Sequence, residues 1–298
     1  MKSVILVNFG GPRQIGELRD FLKDIFCDVL PGPLKKTASM FSALRVPASQ
    51  RLYDEIGGSS PVVSWTLIQA GLLESRLKKL LGEGYKCYAA MLYGLPKVLS
   101  VIEQARRDGA ESVLLLPLFP YSYGTIRNFG EKTILAKWPL HSIYINMMVD
   151  IIKSSLSKLK GHDPTQTHIL FSAHAIPMSY VRKGSGYLEE IFSSVNRIMQ
   201  EFIGYNFDVS FQSAVLPINW SKPSTKNTIK RLASQKVKNM VIVPLGFACE
   251  NLETLYEIDK CYIPYAQKEG IPNVVRAPAI NDHPMFIELL AELVINDV

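Results

Sequence analysis

Four cysteines in 298 residues, Cys27, Cys87, Cys249 and Cys261, are too few and too scattered for a disulfide framework. None forms a C-x-x-C pair or a zinc-finger spacing, so a structural zinc cage is excluded and reduced thiols are expected. Long apolar runs are missing too. The longest, residues 113–119, falls far short of the ~20 residues that span a bilayer. G-x-G-x-x-G is absent, as are the Walker lysine motif and H-E-x-x-H, which argues against a dinucleotide, a P-loop nucleotide or a zincin centre. No basic block is interleaved with aromatics, so no nucleic-acid partner is expected. The net charge of +6 is scattered and admits an anionic ligand or an anionic membrane surface. The chain turns apolar within three residues of Met1, and no signal peptide is expected. These absences point to a cytoplasmic protein whose membrane contact, if it has one, is peripheral.

What is present is an alternation of apolar runs and amphipathic stretches. Hydrophobic residues make up 47% and charged residues 20%, the balance of an ordinary globular chain. Short Val/Ile/Leu runs ending in Gly or Pro predict parallel strands with helices on both faces. The series occurs twice. Strands are expected at 4–9, 87–91, 113–116 and 143–145, and again at 169–172, 209–212, 240–243 and 274–276. The punctuation repeats as well. Phe9-Gly10-Gly11-Pro12 answers His174-Ala175-Ile176-Pro177, and Leu116-Pro117-Leu118-Phe119 answers Val243-Pro244-Leu245-Gly246. The fold expected is α/β, with two similar Rossmann-like domains, each a four-stranded parallel sheet flanked by helices. They divide into residues 1–155 and 156–298, joined through the linker-like 160–164, with the last helix packing back on the first domain. Helices are expected at 15–26, at 62–81 after Ser60-Pro61, and at 251–267. Residues 30–47 break the alternation and carry Lys35, Lys36, Met40, Phe41, Leu44 and Arg45, an apolar and basic lip.

Chemistry gathers at the strand ends, where open α/β sheets bind ligands. His174 closes one apolar strand, and Glu253 follows another. Taken singly, a strand-end histidine is most often structural, and a first-turn glutamate is commonly a partner of the helix dipole. Together they offer an imidazole facing a carboxylate, suited to a base, a metal ligand or both. So sparse a pair suits a metal in transit better than a resident one. Glu250, Glu253 and Glu257 are spaced three and four apart, which places them on one α-helical face as an acidic track. The stretch 119–125, Phe-Pro-Tyr-Ser-Tyr-Gly-Thr, with Phe9, Met91, Tyr93 and Trp220, offers walls for a flat apolar ligand.

In order, the blocks Val7-Asn8-Phe9-Gly10-Gly11-Pro12, Ile56-Gly57-Gly58-Ser59-Ser60-Pro61, Phe171-Ser172-Ala173-His174-Ala175-Ile176-Pro177-Met178-Ser179 and Leu252-Glu253-Thr254-Leu255-Tyr256-Glu257-Ile258-Asp259 resemble the ferrochelatase family, with Phe211-Gln212-Ser213 and Trp220 fitting as well. The resemblance runs along nearly the whole chain. It implies a lyase of haem biosynthesis that inserts Fe(II) into a porphyrin with release of two protons. It assigns His174 to metal binding or proton abstraction and Glu253 to the carboxylate opposite. It sets Arg45 at a porphyrin propionate, and Phe9, Tyr53, Ser60, Tyr93 and Trp220 along the porphyrin, with Glu250 and Glu257 as a secondary acidic track. No cofactor is implied beyond the substrate iron, and no iron–sulfur cluster, since a C-terminal cysteine-bearing extension is missing.

The chain also departs from the family pattern. Glu250-Asn251 stands where many members have Asp-His, Leu92 replaces an arginine of some relatives, and the hydroxyl-rich loop after Pro120 is shortened. Phe9 stands where the coproporphyrin-using branch commonly has tyrosine, which favours protoporphyrin IX over coproporphyrin III. Two other classes compete. One is a non-catalytic porphyrin- or haem-binding protein, which intact His174 and Glu253 disfavour. The other is a cobalt or nickel chelatase, disfavoured by the lack of a second histidine near Glu253. Nothing in the sequence sets an oligomeric state.

Overall fold

The structure is a computed structural model, described here for residues 1–30, 32–121, 129–134, 138–159, 163–214 and 218–297. The first half runs β1 (Lys2–Asn8), a 3-10 turn (Ile15–Glu17), α1 (Leu18–Val29), a second 3-10 turn (Gly32–Thr37), α2 (Ala38–Asp54), α3 (Val62–Leu81), β2 (Tyr85–Met91), α4 (Val98–Arg107), β3 (Ser112–Pro117), β4 (Lys132–Thr133) and α5 (Ser142–Leu156). The second half runs β5 (Thr167–His174), α6 (Met178–Arg182), α7 (Tyr187–Met199), β6 (Asn206–Gln212), α8 (Thr225–Ser234), β7 (Asn239–Leu245), a π-helix (Glu253–Tyr262), α9 (Ile263–Glu269), β8 (Asn273–Arg276) and α10 (Pro284–Asp297).

The strands form two four-stranded sheets, ordered β2-β1-β3-β4 and β6-β5-β7-β8, parallel throughout. The repeat read from the apolar runs is therefore a repeat of topology, and it extends to the loops. Each half has a cis proline after its second strand, Leu95-Pro96 and Lys222-Pro223. The amide of Met91 donates to the Pro96 carbonyl at 2.8 Å, and that of Phe211 to the Pro223 carbonyl at 2.9 Å. Lys97 and Ser224 then cap α4 and α8 with the same backbone angles.

Side-chain alternation along the strands explains where the cores lie. Val4 and Leu6 of β1 face one cluster, and Ile5 and Val7 face another. In the second sheet Ile169, Phe171, Val241 and Val243 turn toward the first of these clusters, while Leu170, Met240 and Ile242 turn away from it. The two sheets thus share one continuous core, filled by residues of α3, α5, α7 and α10, and each sheet has a smaller core of its own behind. Helix α10 packs on α3 and α5 of the first half.

Two expectations fail locally. Residues 143–145, expected as the fourth strand, open α5, and the fourth strand is the two-residue β4 beside β3. The reason is periodicity seen too briefly. Tyr144, Met148, Ile151 and Ile152 bury one helical face, and a three-residue apolar run cannot be told from a strand. His141 caps that helix, its Nδ1 accepting from the Ile143 amide at 3.3 Å. The helix expected over 251–267 is α-helical only at its ends. Its middle carries the wider i→i+5 bonding of a π-helix, a form often found at functional sites. Helix α3 spans the residues expected. Pro61 takes its cap position, and the Ser60 hydroxyl accepts from the Val62 amide at 3.4 Å. The lip is a 3-10 turn leading into α2, which runs on through Pro47. The linker stretch 160–162 lies outside the described residues.

Candidate active site

The carboxyl ends of β5 and β6 bring the predicted polar residues together. His174 is the last residue of β5, half-buried after seven buried positions. Its Nδ1 lies 2.7 Å from the Ala175 carbonyl oxygen. A carbonyl only accepts, so Nδ1 carries hydrogen and the lone pair of the neutral ring sits on Nε2. The buried Tyr187 hydroxyl donates to the His174 carbonyl at 2.8 Å and pins the strand end from behind.

Gln212 is the register partner of His174 in the parallel ladder and is almost fully buried. Its Oε1 accepts from the Ser172 hydroxyl at 2.5 Å. That bond orients the amide so that Nε2 points to the π-helix, where it donates to the Glu253 carbonyl oxygen at 3.4 Å and to Glu257 Oε2 at 3.3 Å. The Ser213 hydroxyl donates to the same Glu257 oxygen at 2.7 Å. Gln212, beside His174 in the ladder, thus bonds the Glu253 segment through its amide, and Glu257 comes with it. Burial first, and then the charge of Glu253, push the Glu257 carboxyl up to about 7. Among the described residues no three of His, Cys, Asp and Glu converge as a metal cage.

Glu250 does not belong to this group, which corrects the acidic track. Arg276 at the end of β8 holds Glu250 Oε1 at 2.8 Å, the Ala279 amide donates to the same oxygen at 3.1 Å, and Oε2 accepts from the Thr254 hydroxyl. Spacings of three and four make one face only within a helix, and Glu250 and Asn251 precede the helix. Asn251 acts as a cap. Its Oδ1 accepts from the Thr254 amide at 2.9 Å, and its own amide donates to the Thr254 hydroxyl at 3.0 Å.

The first half contributes apolar surface. Phe9 follows β1, is 40% exposed and stacks at a tilt on Tyr93, with centroids 4.8 Å apart. The Tyr93 hydroxyl donates to Asp28 at 2.6 Å. Gly10 is required between them, because a Cβ there would meet the Tyr93 carbonyl oxygen at 2.0 Å. Tyr53 is buried, and its hydroxyl is pushed well up, by burial first and then by the charge of Glu253. Leu252, next to Glu253, packs in the same cluster as Tyr53 and Tyr93, so the two halves meet there.

The other expected residues divide between core and surface. Ser60 is buried against Gly11, and Met91 is core. Tyr121 is core too, bonded to Ser194 at 2.9 Å, because the strand end buries this ring instead of presenting it. The shortened loop and residues 122–125 lie outside the described residues. Trp220 is half-buried, its backbone paired with Pro177. Arg45 is exposed on α2, between exposed Leu44 and half-buried Val46. Sequence reasoning matched 211–213 as a block but gave no role to Gln212 or Ser213. Their position beside a strand-end histidine was the available signal. A polar cavity of about 710 Å³ lies at the opposite ends of β5 and β6, around His168 and Asp208, and shares no residue with this site.

Paired four-stranded parallel sheets with chemistry at their carboxyl ends define a two-domain α/β protein of the chelatase type. SirB from Bacillus subtilis with Fe3+ has this fold, with a TM-score of 0.53 over 99% of this chain and 95% of that chain at 14% identity. CbiX, the terminal enzyme for biosynthesis of siroheme in denitrifying bacteria, gives 0.50 over the whole of both chains at 13% identity. A family model described as Ferrochelatase matches residues 1–298. Proteins named ferrochelatase are 35% identical in Synechocystis sp., over 99% of this chain and 82% of that protein, and 33% identical in Geotalea daltonii, over 98% and 96%. The chain belongs to the ferrochelatase family, whose members are lyases that insert iron into a porphyrin.

Proposed function

We propose that this enzyme inserts Fe(II) into protoporphyrin IX to give protohaem, the closing step of haem synthesis. One observation carries the choice of porphyrin. Phe9 presents an exposed ring stacked on Tyr93, and the carboxylates nearby are Asp28 on the Tyr93 hydroxyl and Asp24, 3.3 Å from the Gly94 amide. Protoporphyrin has vinyl groups where coproporphyrin carries two further propionates. An apolar ring suits the vinyl groups, and the Lys97 ammonium at this rim is already paired with Asp24 at 3.3 Å, which leaves it less able to hold a further propionate.

In this reading the porphyrin lies along Phe9, Tyr93 and Trp220, with a propionate on Arg45. Tyr53 and Ser60 support the wall from beneath. His174 takes a pyrrole proton on Nε2, the ring nitrogen that carries the lone pair when Nδ1 donates to Ala175. Glu253 and Glu257, tied to Gln212 and Ser213, receive iron from the opposite side. Two pyrrole N–H bonds break as four Fe–N bonds form, and two protons leave, so charge balances. Iron is substrate throughout, and no cofactor or iron–sulfur cluster enters the scheme. Exposed Leu34, Met40 and Leu44 beside Lys35 and Lys36 suit a lip resting on an anionic membrane, which vesicle cosedimentation reads directly. No helix among the described residues is long and apolar enough to cross a membrane.

The test is anaerobic. Purified protein with Fe(II) is given protoporphyrin IX or coproporphyrin III, and loss of porphyrin fluorescence gives kcat/KM for each. Protoporphyrin is expected to be the better substrate by about tenfold or more. A preference for coproporphyrin overturns the substrate assignment, and binding without turnover overturns the catalytic one.

A further inference from the structure

Arg276 joins elements that flank the candidate carboxylates without touching them. It ends β8, opposite Ile242 of β7, and its side chain is only 12% exposed. Nη1 holds Glu250 Oε1 at 2.8 Å, before the π-helix begins. Nε and Nη2 hold Asp259 Oδ1 and Oδ2 at 2.7 and 3.0 Å, well inside that helix. One guanidinium therefore grips the chain three residues before Glu253 and two residues after Glu257. The grip is relayed to Glu253 itself, because Glu250 Oε2 accepts from the hydroxyl of Thr254, a fully buried neighbour of Glu253.

Two physical arguments say what the clamp does. A π-helix is a rare, locally poor form that rarely persists beyond a single turn, and this one spans ten residues. External anchors are needed to hold its register. An ion triad with two of its members largely buried is also a weak source of net stability, since apolar residues of the same volume often do as well. What the fork of Arg provides is direction, two parallel bonds to one carboxylate and a third to another. Direction is what two carboxylates need if they are to meet one metal ion.

We propose that Arg276, with Glu250 and Asp259, is a positioning device that sets Glu253 and Glu257 of the π-helix against Gln212 and His174 for metal insertion. It rests on the assignment of those carboxylates to iron made above. It makes Arg276 a positioning residue, not one that touches porphyrin or metal.

The experiment is Arg276→Lys in the full-length protein, with Arg276→Met alongside. Lysine keeps the charge but cannot grip both carboxylates in the same geometry, so it carries the test if the methionine variant fails to fold. Porphyrin affinity is read by quenching of protein fluorescence, and kcat by anaerobic insertion of Fe(II). The expected result for Arg276→Lys is a kcat lower by about tenfold or more with porphyrin affinity unchanged, because the porphyrin walls belong to other elements. An unchanged kcat overturns the proposal. So does a parallel fall in kcat and porphyrin affinity, which marks a general loss of structure. Absence of turnover in the wild-type protein instead overturns the iron assignment, and this inference with it.

Discussion

Strand β1 ends with Asn8 beside Met91, and Phe9 follows; strand β5 has Ala173 beside Phe211, and His174 follows. The bridges Met91–Lys97 and Phe211–Ser224 fix this correspondence, and Pro117 and Pro244 obey it on the other side. Phe9 and His174 are therefore the same position in two copies of one topology, as are Leu92 and Gln212. The difference extends below the surface. Val7, Ala90 and Val98 form part of an apolar core in the first half. Their counterparts Ser172, Ser210 and Thr225 form a buried hydroxyl chain, with Thr225 Oγ1 2.9 Å from Ser172 and 3.0 Å from Ser210. One copy of the fold has kept an apolar end suited to a flat ring. The other has been rebuilt in depth to hold an imidazole and an amide in fixed directions.

The hardest blow to this division is His174→Phe, which gives the second half the residue of the first. Porphyrin affinity should survive, and metal insertion should fall by about 10³-fold, within the range of a lost general base or ligand. Single-turnover fluorescence loss under anaerobic conditions measures it. Insertion within tenfold of wild type would mean that the two strand ends are not divided in this way.

Ser172→Val tests the support beneath. It imports Val7 and removes the donor that orients Gln212, leaving Oε1 of a buried amide without that partner. A cost of about 1–3 kcal/mol is expected in urea unfolding, with a fall in kcat of about tenfold as Nε2 loses its aim at Glu253 and Glu257. A stable variant with wild-type kcat would show that the hydroxyl chain is mere packing.

Much of this contrast was legible before any coordinates. Parallel strands buried on both faces read as continuous apolar runs, so seven of the eight strands among the described residues, and the repeat, could be read directly. Strand β4 could not, being two polar residues defined only by their neighbour β3. His174 and Glu253 stood out because strand ends and family motifs coincide there. Gln212 acquires meaning only through its register with His174, and Glu250 only through Arg276, 26 residues on. Pairings of that kind leave no spacing signal. The π-helix leaves none either, since its residues are those of any amphipathic helix. That is why the spacing of Glu250 points to a track that it does not join.

Glu257 gives the smallest expected effect, and its sign can be worked out. Among the described residues of the first half no acid is raised in this way, and the second half carries this one at a cost. Its carboxyl stands at about 7 in the folded protein against an ordinary value of 4.5. Below the ordinary value both states hold the proton, and burial costs nothing extra. As pH rises from there toward 7, the unfolded chain releases its proton while the folded protein retains it, so stability declines; above about 7 the full penalty is present. Glutamine does not titrate. Glu257→Gln should therefore match wild type in Tm near pH 4.5 and exceed it by about 3 °C at pH 8, with the gap opening between those limits. The ordering of the gap matters more than its size. A variant more stabilised at the acidic end would mean that Ser213 and Gln212 stabilise the carboxylate more than burial disfavours it, and that Glu257 is a structural ligand of the strand end instead of a group held ready for a cation.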